Sequence, residues 1–481
     1  MERYDLIVIG GGAGGLVAAL GGARLGAKTA LIEKRKLGGD CLHYGCVPSK
    51  TLIYSAKVYS LIRRAEEFGV GPAEAHLDFK KVMKRMRDII AKIGTHDAPQ
   101  NFEKQGIKVI FGEGHFEDAH TFAIDGKKLC AKRFVIATGS RPVILPIPGL
   151  SESGVLTNET ALDTLEELPS SIAILGAGPI GMEFAQVFLR LGSKVTVIEK
   201  MGQILPREDK EIADTLEGIL RKEGMQIVTC TEVKSVQKAG QKKILEAVCP
   251  LNKEHPGAGE TFEVDQVMIA IGRAPNVEGL GLEAAGVAYT KKGITVDAKM
   301  QTSRKHVFAV GDVAGPYPFT HMAEHQGGIA LSNAFFPFLG RRSDYSAVPW
   351  VTYTDPELGR VGDTETEAKE KEKGVSVYRF PFQSVDRATI EGETGGLIKV
   401  ICDKKGFVLG AHVLGPNGGE LLHEFTLAKK NRLKIGQLSS TIHAYPTLSQ
   451  AVRKTADQYY TEKLFKGILP KLARILVKLS R

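Results

Sequence analysis

The sequence predicts an α/β protein of several domains, because one strand–helix–strand pattern occurs twice and a further α/β region follows. Both copies combine an aliphatic run, a glycine-rich turn, a helix and a second apolar run that ends in glutamate. The chain has 481 residues, too many for one hydrophobic core, so three or four domains are expected. Hydrophobic residues make up 43% and charged residues 25%, which indicates a globular chain rather than a disordered one.

The first copy of the pattern reads YDLIVIGGGAGGLVAALGGARLGAKTALIEK, with a helix predicted over about 14–25. Gly10 supplies a tight turn, Gly12 lets the backbone approach a pyrophosphate, and Gly15 permits close helix–strand contact. Glu33 ends the second strand about 20 residues later, where a carboxylate accepts hydrogen bonds from ribose hydroxyls. A lone glycine motif is weak evidence, whereas one with both strands, the helix and the acid indicates a dinucleotide-binding domain.

The second copy reads SIAILGAGPIGMEFAQVFLRLGSKVTVIEK and repeats every part. Gly176, Gly178 and Gly181 take the places of the three glycines, and Glu199 follows the second strand. Two complete motifs predict two dinucleotides, one a tightly held flavin and the other an exchangeable nicotinamide. A carboxylate at Glu199 accepts from a ribose 2′-hydroxyl and repels a 2′-phosphate, which favours NADH over NADPH.

Three further segments are predicted to return the chain to a nucleotide-binding sheet. FVIATGSRP and VMIAIGRAPN are apolar strands that lead to Gly139 and Gly272. VFAVGDVAG closes a strand on Asp312, where an acid suits a polyol hydroxyl such as that of the flavin ribityl chain. This order predicts that the second nucleotide domain is inserted into the first.

The stretch GGDCLHYGCVPSK places Cys41 and Cys46 close together in a chain with six cysteines. The spacing leaves three explanations open: a metal clip, a structural disulfide or a redox pair. Four intervening residues fit poorly with the CxxC spacing of zinc sites, and a structural disulfide is unusual in the cytosol. Cys46 also precedes a predicted helix, whose N-terminus favours the thiolate.

Together these motifs and the C-terminal IHAYPTLSQA resemble the flavin-dependent pyridine nucleotide–disulfide oxidoreductases, over about residues 4–460. This family includes dihydrolipoamide dehydrogenase, glutathione reductase and mercuric reductase. The resemblance implies FAD and NAD(P)H as cofactors and a redox disulfide in which Cys46 lies nearer the flavin and Cys41 meets the substrate. It also implies that Lys50 lies beside the flavin and pairs with Glu183.

The C-terminal motif departs from the dehydrogenase pattern. The family's reductases carry a histidine before Pro-Thr and a glutamate five residues after that histidine, a dyad that serves as general acid–base from the other subunit. Here Tyr445 and Gln450 stand at those positions, and a tyrosine with an ordinary pKa near 10 cannot act as a base at neutral pH. His443 could compensate, because residues two apart in an extended run face the same side, but a structural role is favoured.

A tyrosine before Pro-Thr is instead similar to mercuric reductase. The resemblance implies a mercuric-reductase-like enzyme that passes electrons from NAD(P)H through FAD and the cysteine pair to a metal ion, disulfide or other small oxidant. Two alternatives stay open. One is a dihydrolipoamide dehydrogenase with an altered dyad, and the other is a flavoprotein that carries electrons to, or senses redox for, a protein partner.

The family resemblance also predicts the domain order and a homodimer, in which Tyr445 faces Cys41 of the other chain. The expected segments are an FAD domain over 1–150 and 276–347, an NAD(P)H domain over 151–275, a dimerisation domain over 348–460, and a basic tail over 461–481.

Charge and hydropathy set the remaining expectations. The net charge of +9 is spread along the chain without a nucleic-acid-binding motif, so no nucleic-acid partner is predicted. The opening residues predict a strand rather than a signal peptide, and a cytoplasmic location is expected. The tail alternates basic and apolar residues at helical spacing, with a helix expected from about Lys471. It predicts either a helix packed on the dimer or a helix on an anionic membrane surface. Its basic residues are Lys463, Lys466, Lys471, Arg474, Lys478 and Arg481, and its apolar ones are Leu464, Phe465, Ile468, Leu469, Leu472, Ile475, Leu476 and Leu479.

Overall fold

The computed structural model describes residues 2–71, 75–249, 259–465 and 469–480, and the chain divides into two compact units. The first unit comprises Met1–Ser170, Val236–Lys243 and Asp265–Asp344. The second unit comprises Ser171–Ser235, Ile244–Val264 and Tyr345–Arg481.

The first unit is built on a five-stranded parallel sheet, as predicted from its aliphatic runs. The central strand, Leu6–Ile9, is buried along its whole length, as strands covered on both faces must be. The order across the sheet is Val307–Ala309, Phe134–Ile136, Leu6–Ile9, Thr29–Glu33 and Ile107–Phe111. Since the strands are parallel, their carboxyl ends meet at one edge, where Gly10, Glu33 and Asp312 follow them.

The described residues of the first unit also form smaller sheets and eight α-helices. A four-stranded sheet has the order Glu2–Tyr4, Lys127–Ala131, Thr121–Ile124 and Gly114–Phe116. Two antiparallel pairs join Ser140–Pro142 to Arg273–Pro275 and Tyr289–Thr290 to Gly293–Ile294. A further strand is Gln266–Ile269. The helices are Ala13–Arg24, Gly39–His43, Cys46–Arg63, Phe79–Gly94, Pro99–Glu103, Asn158–Thr164, Leu282–Ala285 and Thr320–Phe335.

The second unit begins with the second copy of the strand–helix–strand pattern. Ser171–Leu175 pairs in parallel with Lys194–Ile198, which pairs with Gln226–Val228. The helix Pro179–Leu191 connects the first two strands and buries most of its residues, and Lys210–Lys222 precedes the third. Three other strands of the chain are Glu232–Ala239, Lys242–Val248 and Gly259–Val264.

The C-terminal part of the second unit is an antiparallel sheet with helices. The sheet order is Pro349–Thr352, Glu357–Gly362, Val408–Gly415, Leu397–Cys402 and Ser376–Pro381. The helices are Glu365–Lys371, Asp386–Ile390, Gly418–Lys430, Ile435–Ser440, Gln450–Phe465 and Leu469–Leu479. Apolar side chains from the sheet and from the helices Gly418–Lys430 and Gln450–Phe465 form one core.

The predicted tail helix is present as Leu469–Leu479, two residues earlier than expected. Lys466, Ile468 and Arg481 lie outside the described residues, as do the side chains of Lys463, Leu469 and Lys471. The five predicted segments, which divide the chain into an FAD domain, an NAD(P)H domain, a dimerisation domain and a tail, stay a prediction. Among the described helices, none is long and apolar enough to cross a membrane.

Candidate active site

The first glycine-rich loop has the backbone geometry that its sequence predicts. Gly10 has a φ of +107°, in the region that favours glycine, and Gly12 caps the helix that follows. A Cβ on Gly15 would lie 1.9 Å from the Gly10 carbonyl oxygen, so no larger residue fits there. Around Gly12, a Cβ would meet only Gly39, at 3.9 Å. The loop therefore leaves open backbone at a helix N-terminus, which fits a pyrophosphate.

The carboxylate of Glu33 stands beside this loop, and its two oxygens are fixed by backbone groups. Gly11 N donates to Oε2 and Arg35 N donates to Oε1, each at 2.7 Å. A carboxylate has about four acceptor sites, so both oxygens can still accept from ribose hydroxyls. Glu33 is thus oriented for the role that the sequence predicts.

The second loop repeats this arrangement almost atom for atom. Gly176 has a φ of +101°, and nothing lies within 4 Å of the position of a Cβ on Gly178. Glu199 accepts from Ala177 N at Oε2 and from Met201 N at Oε1, again at 2.7 Å. The third glycine, Gly181, is buried in the helix Pro179–Leu191. Both loops fit dinucleotides by the same open backbone and the same oriented carboxylate.

The cysteine pair lies on two consecutive helices of the first unit. Cys41 is half-buried in Gly39–His43, and Cys46 is the exposed first residue of Cys46–Arg63. Both hold free thiols. A hydrogen bond with the Cys46 thiol, together with burial, raises the pKa of Cys41. Cys46 occupies the N-terminus of an 18-residue helix, where the helix dipole stabilises a thiolate.

Thr320 is a site residue that the sequence did not reveal. Its Oγ1 lies 3.4 Å from the Cys46 Sγ, and it is the first residue of the helix Thr320–Phe335. A threonine hydroxyl can donate to a thiolate or accept from a thiol. Thr320 can therefore hydrogen-bond to Cys46 both as a thiol and as a thiolate.

A chain of polar contacts joins four of the sequence motifs in the first unit. Arg273 Nη2 lies 3.1 Å from Asp40 Oδ1, in the residue before Cys41. Arg273 Nε donates to Ser140 Oγ at 2.8 Å, and Ser140 Oγ donates to Asp312 Oδ2 at 2.5 Å. Burial raises the pKa of Asp40, which the Arg273 charge opposes. Sequence reasoning selected Asp312 and missed the other three.

Gly139 and Gly272 immediately precede the two middle residues of this chain of contacts, Ser140 and Arg273. Both have positive φ, +69° and +135°, and nothing lies within 4 Å of a Cβ at either position. They immediately precede the antiparallel pair Ser140–Pro142 and Arg273–Pro275. Open space at both glycines fits the close approach of a cofactor.

Lys50 and Glu183 are placed on the helices that the sequence predicts, in different units. Lys50 is partly buried, one turn after Cys46. Glu183 is buried, and it accepts a hydrogen bond from Tyr353 N at 2.9 Å. The Lys50–Glu183 pair stays a prediction.

Tyr445 lies on the exposed loop before the helix Gln450–Phe465, with 72% of its surface exposed. A hydrogen bond with the Asp386 carboxylate raises its pKa, so the phenol stays protonated at neutral pH. Gln450 Nε2 donates to His443 O at 2.8 Å and so holds the loop. The side-chain amide of Gln450 thus stabilises the conformation of this loop.

His443 is enclosed by two acceptors. Its Nε2 lies 2.9 Å from Glu424 Oε2, and its Nδ1 lies 2.9 Å from Thr441 O. A carboxylate and a carbonyl oxygen are both acceptors, so each ring nitrogen faces a group to which a histidine N–H can donate. Both ring nitrogens are engaged within the same chain, and the choice between a structural role and a compensating base stays a prediction.

Among the described residues, no cluster of three or more histidine, cysteine, aspartate or glutamate side chains could hold a metal ion. Cys41 and Cys46 offer two thiolate ligands at the site.

Comparison with known proteins gives one family assignment over residues 4–327 and 348–456. The family model "Pyridine nucleotide-disulphide oxidoreductase" matches residues 4–327, and the model of its dimerisation domain matches residues 348–456. The dihydrolipoyl dehydrogenase of Bacillus subtilis is 37% identical over 94% of this chain and 97% of its own length. A mercuric reductase of Lysinibacillus sphaericus is 34% identical over 95% of this chain and 82% of its own.

Solved structures of a flavoprotein disulfide reductase also match the fold of this chain. The HOCl-induced flavoprotein disulfide reductase RclA from Escherichia coli superposes with a TM-score of 0.84 and 29% identity, covering 94% of this chain and 99% of its own. Its Cu(II) complex gives a TM-score of 0.83 with 30% identity, over 93% and 98%. This chain belongs to the pyridine nucleotide–disulphide oxidoreductases, enzymes that use FAD and NAD(P)H, and it carries their dimerisation domain.

Proposed function

We propose that this enzyme uses NAD(P)H, with NADH preferred, to reduce the Cys41–Cys46 pair and that the resulting dithiol reduces a metal ion, Cu(II) or Hg(II), whose reduced or bound form thiolates favour. FAD would accept the two electrons of the hydride and pass them to the disulfide. The half-reaction on the protein is disulfide plus NAD(P)H plus a proton, giving dithiol and NAD(P)⁺. The dithiol then reduces two Cu(II) to two Cu(I), or one Hg(II) to Hg(0), releasing two protons and re-forming the disulfide.

The observation that carries this proposal is that Tyr445, on the C-terminal loop, cannot serve as a base at neutral pH. Oxidation of a dithiol substrate such as dihydrolipoamide requires a base that removes substrate protons. Tyr445 stays protonated, and both nitrogens of His443 face acceptors. Reduction of a metal ion removes no proton from the substrate, so it does not need that base. Thiolates are also the ligands that soft metal ions prefer.

The names of the relatives agree with this class of substrate. Mercuric reductases are 34% identical to this chain, and RclA has been solved as a Cu(II) complex. Tyr445 would face the metal as it enters from solvent, since its side chain is exposed in the single chain. Lys50 and Glu183 would pair beside the flavin and hold its position.

Dihydrolipoamide dehydrogenase is the second candidate. It is favoured by identity alone, since several relatives with that name are 36–38% identical over nearly the whole chain. The absent base at Tyr445 speaks against it.

Initial rates of NADH and NADPH oxidation with Cu(II), Hg(II), lipoamide and glutathione disulfide test the proposal. We expect turnover with a metal ion that is lost in Cys41→Ser and Cys46→Ser, and turnover with lipoamide lower by at least about 10²-fold, the usual contribution of a general base. Alkylation followed by mass measurement should find two more reactive thiols after addition of NADH. The reverse preference, with lipoamide as the fast substrate, would establish the dehydrogenase instead. Reduced enzyme that none of the four oxidants reoxidises would support an electron carrier or redox sensor.

A further inference from the structure

The C-terminal helix Leu469–Leu479 presents an uncovered apolar face in the described chain. Leu472, Ile475, Leu476 and Leu479 recur at intervals of three and four, so they share one face. Their exposed fractions range from 48% to 77%. A helix of a globular protein normally buries such a face.

The preceding helix also ends in exposed apolar side chains. Leu464 and Phe465, its last two residues, are 52% and 74% exposed. Exposed leucines scattered singly are ordinary, whereas a run of them on one amphipathic helix marks an interaction surface.

The charge of this segment indicates what covers it. Residues 463–481 contain six lysines and arginines and no aspartate or glutamate. Arg474 and Lys478 follow one another at a spacing of four, and they lie away from the apolar face. A partner must therefore offer both an apolar interior and negative charge.

We propose that the tail helix docks on the surface of an anionic lipid bilayer, with its axis parallel to the membrane plane. An 11-residue helix is about 16 Å long, roughly half the hydrocarbon thickness, so it lies on the membrane and does not span it. The apolar face enters the boundary between headgroups and acyl chains, and Arg474 and Lys478 remain among the anionic headgroups. This proposal does not depend on the proposed function.

Co-sedimentation of the purified, FAD-loaded full-length protein with lipid vesicles tests this membrane proposal. Vesicles of phosphatidylcholine alone are compared with vesicles that also contain phosphatidylglycerol, at low and at high salt. We expect pelleting with the anionic vesicles only, and its loss at high salt. Each basic residue near an anionic surface contributes about fivefold in affinity, so Arg474→Glu with Lys478→Glu should weaken binding by at least about 25-fold.

A matched pair of substitutions separates the apolar face from general hydrophobicity. Leu476→Gln lies on the face, and Val477→Gln is 55% exposed and lies off it. We expect the first to weaken binding severalfold and the second to leave it unchanged. Equal pelleting on neutral and anionic vesicles, or equal effects of the two glutamines, would overturn the proposal.

The competing occupant is the partner subunit of the dimer. Size-exclusion chromatography of Leu472→Gln with Ile475→Gln distinguishes it, since the membrane proposal requires an intact dimer. A shift to monomer in this variant would show that the face packs within the dimer and would refute the proposal. Turnover with soluble oxidants should be unchanged in all these variants, so a failure here leaves the proposed function standing.

Discussion

Arg273 Nη2 lies 3.1 Å from Asp40 Oδ1 and thereby ties the residue before Cys41 to the strand that follows Gly272. The two residues are 15% and 39% exposed at their side chains, so the pair is only partly shielded from solvent. The same arginine donates through Nε to Ser140 Oγ. One guanidinium therefore positions the cysteine helix relative to the loop that carries Gly139.

We predict that Arg273→Gln lowers the free energy of unfolding by about 1–2 kcal/mol, because it removes hydrogen bonds to a charged group and to partly buried groups. Asp40→Asn with Arg273→Gln should cost less than the sum of the single changes, by about 1 kcal/mol. Urea unfolding of the FAD-loaded protein measures these values. Arg141→Gln is the matched control, since its ion pair with Glu278 is exposed and should contribute less than about 1 kcal/mol. Strict additivity of the Asp40 and Arg273 changes would contradict the coupling.

A second prediction concerns the missing base. Tyr445→His with Gln450→Glu should raise lipoamide turnover, because a general base contributes about 10²- to 10⁴-fold. The gain should fall at the low end of this range, since Gln450 Nε2 donates to His443 O and a glutamate cannot. Steady-state rates with lipoamide measure it, and Gln450→Glu alone is the control that isolates the loop. Unchanged rates in the double variant would mean that the pocket, and not the base, excludes lipoamide.

A third prediction concerns the dimer. If Tyr445 serves the partner's thiol pair, a heterodimer of one Cys41→Ser chain and one Tyr445→Ala chain contains one intact site of two. Its metal-ion turnover should then be about half that of the wild type, whereas each parent homodimer has no intact site. Two different affinity tags allow the heterodimer to be purified and assayed. A heterodimer as inactive as its parents would place Tyr445 at the site of its own chain.

The parts of the site that the sequence predicts are those with local patterns. The glycine loops, Glu33 and Glu199 follow from spacing within a single strand–helix–strand unit. Thr320 does not, since it lies 274 residues after Cys46 and its own neighbourhood reads as an ordinary helix start. Such a contact is set by the tertiary fold, which brings the ends of distant segments to one edge of the sheet.

The role of His443 likewise cannot be predicted from local sequence. The alternation of an extended run predicts that His443 shares a side with Tyr445, yet its side chain is 5% exposed whereas Tyr445 is 72% exposed. The decision between base and structural residue depends on Glu424, on the helix Gly418–Lys430. Only the packing of that helix supplies the second acceptor, and no spacing in the sequence indicates it.

The last prediction concerns pH and His412, which is fully buried on the strand Val408–Gly415. Its cross-strand neighbours are two cations, Lys399 on one side and Arg360 on the other. Burial, reinforced by the charge of Arg360, lowers the pKa of His412 to about 4, while Asp209 opposes the shift. The folded protein therefore binds fewer protons than the unfolded chain between about pH 4 and pH 6.5.

Stability must then rise with pH across this window and fall as pH drops below 6.5, by up to about 3 kcal/mol. We predict that His412→Gln flattens this dependence, because glutamine can still donate to the Asp363 carbonyl, which lies 3.2 Å from His412 Nε2, but does not titrate. Urea unfolding from pH 4.5 to pH 7, followed by the fluorescence of Trp350, measures it. Trp350 is the single tryptophan of the chain and lies in the same sheet. His423→Gln, at an exposed position, is the control and should keep the wild-type slope. An unchanged slope in His412→Gln would show that the buried imidazole does not govern acid unfolding of this sheet.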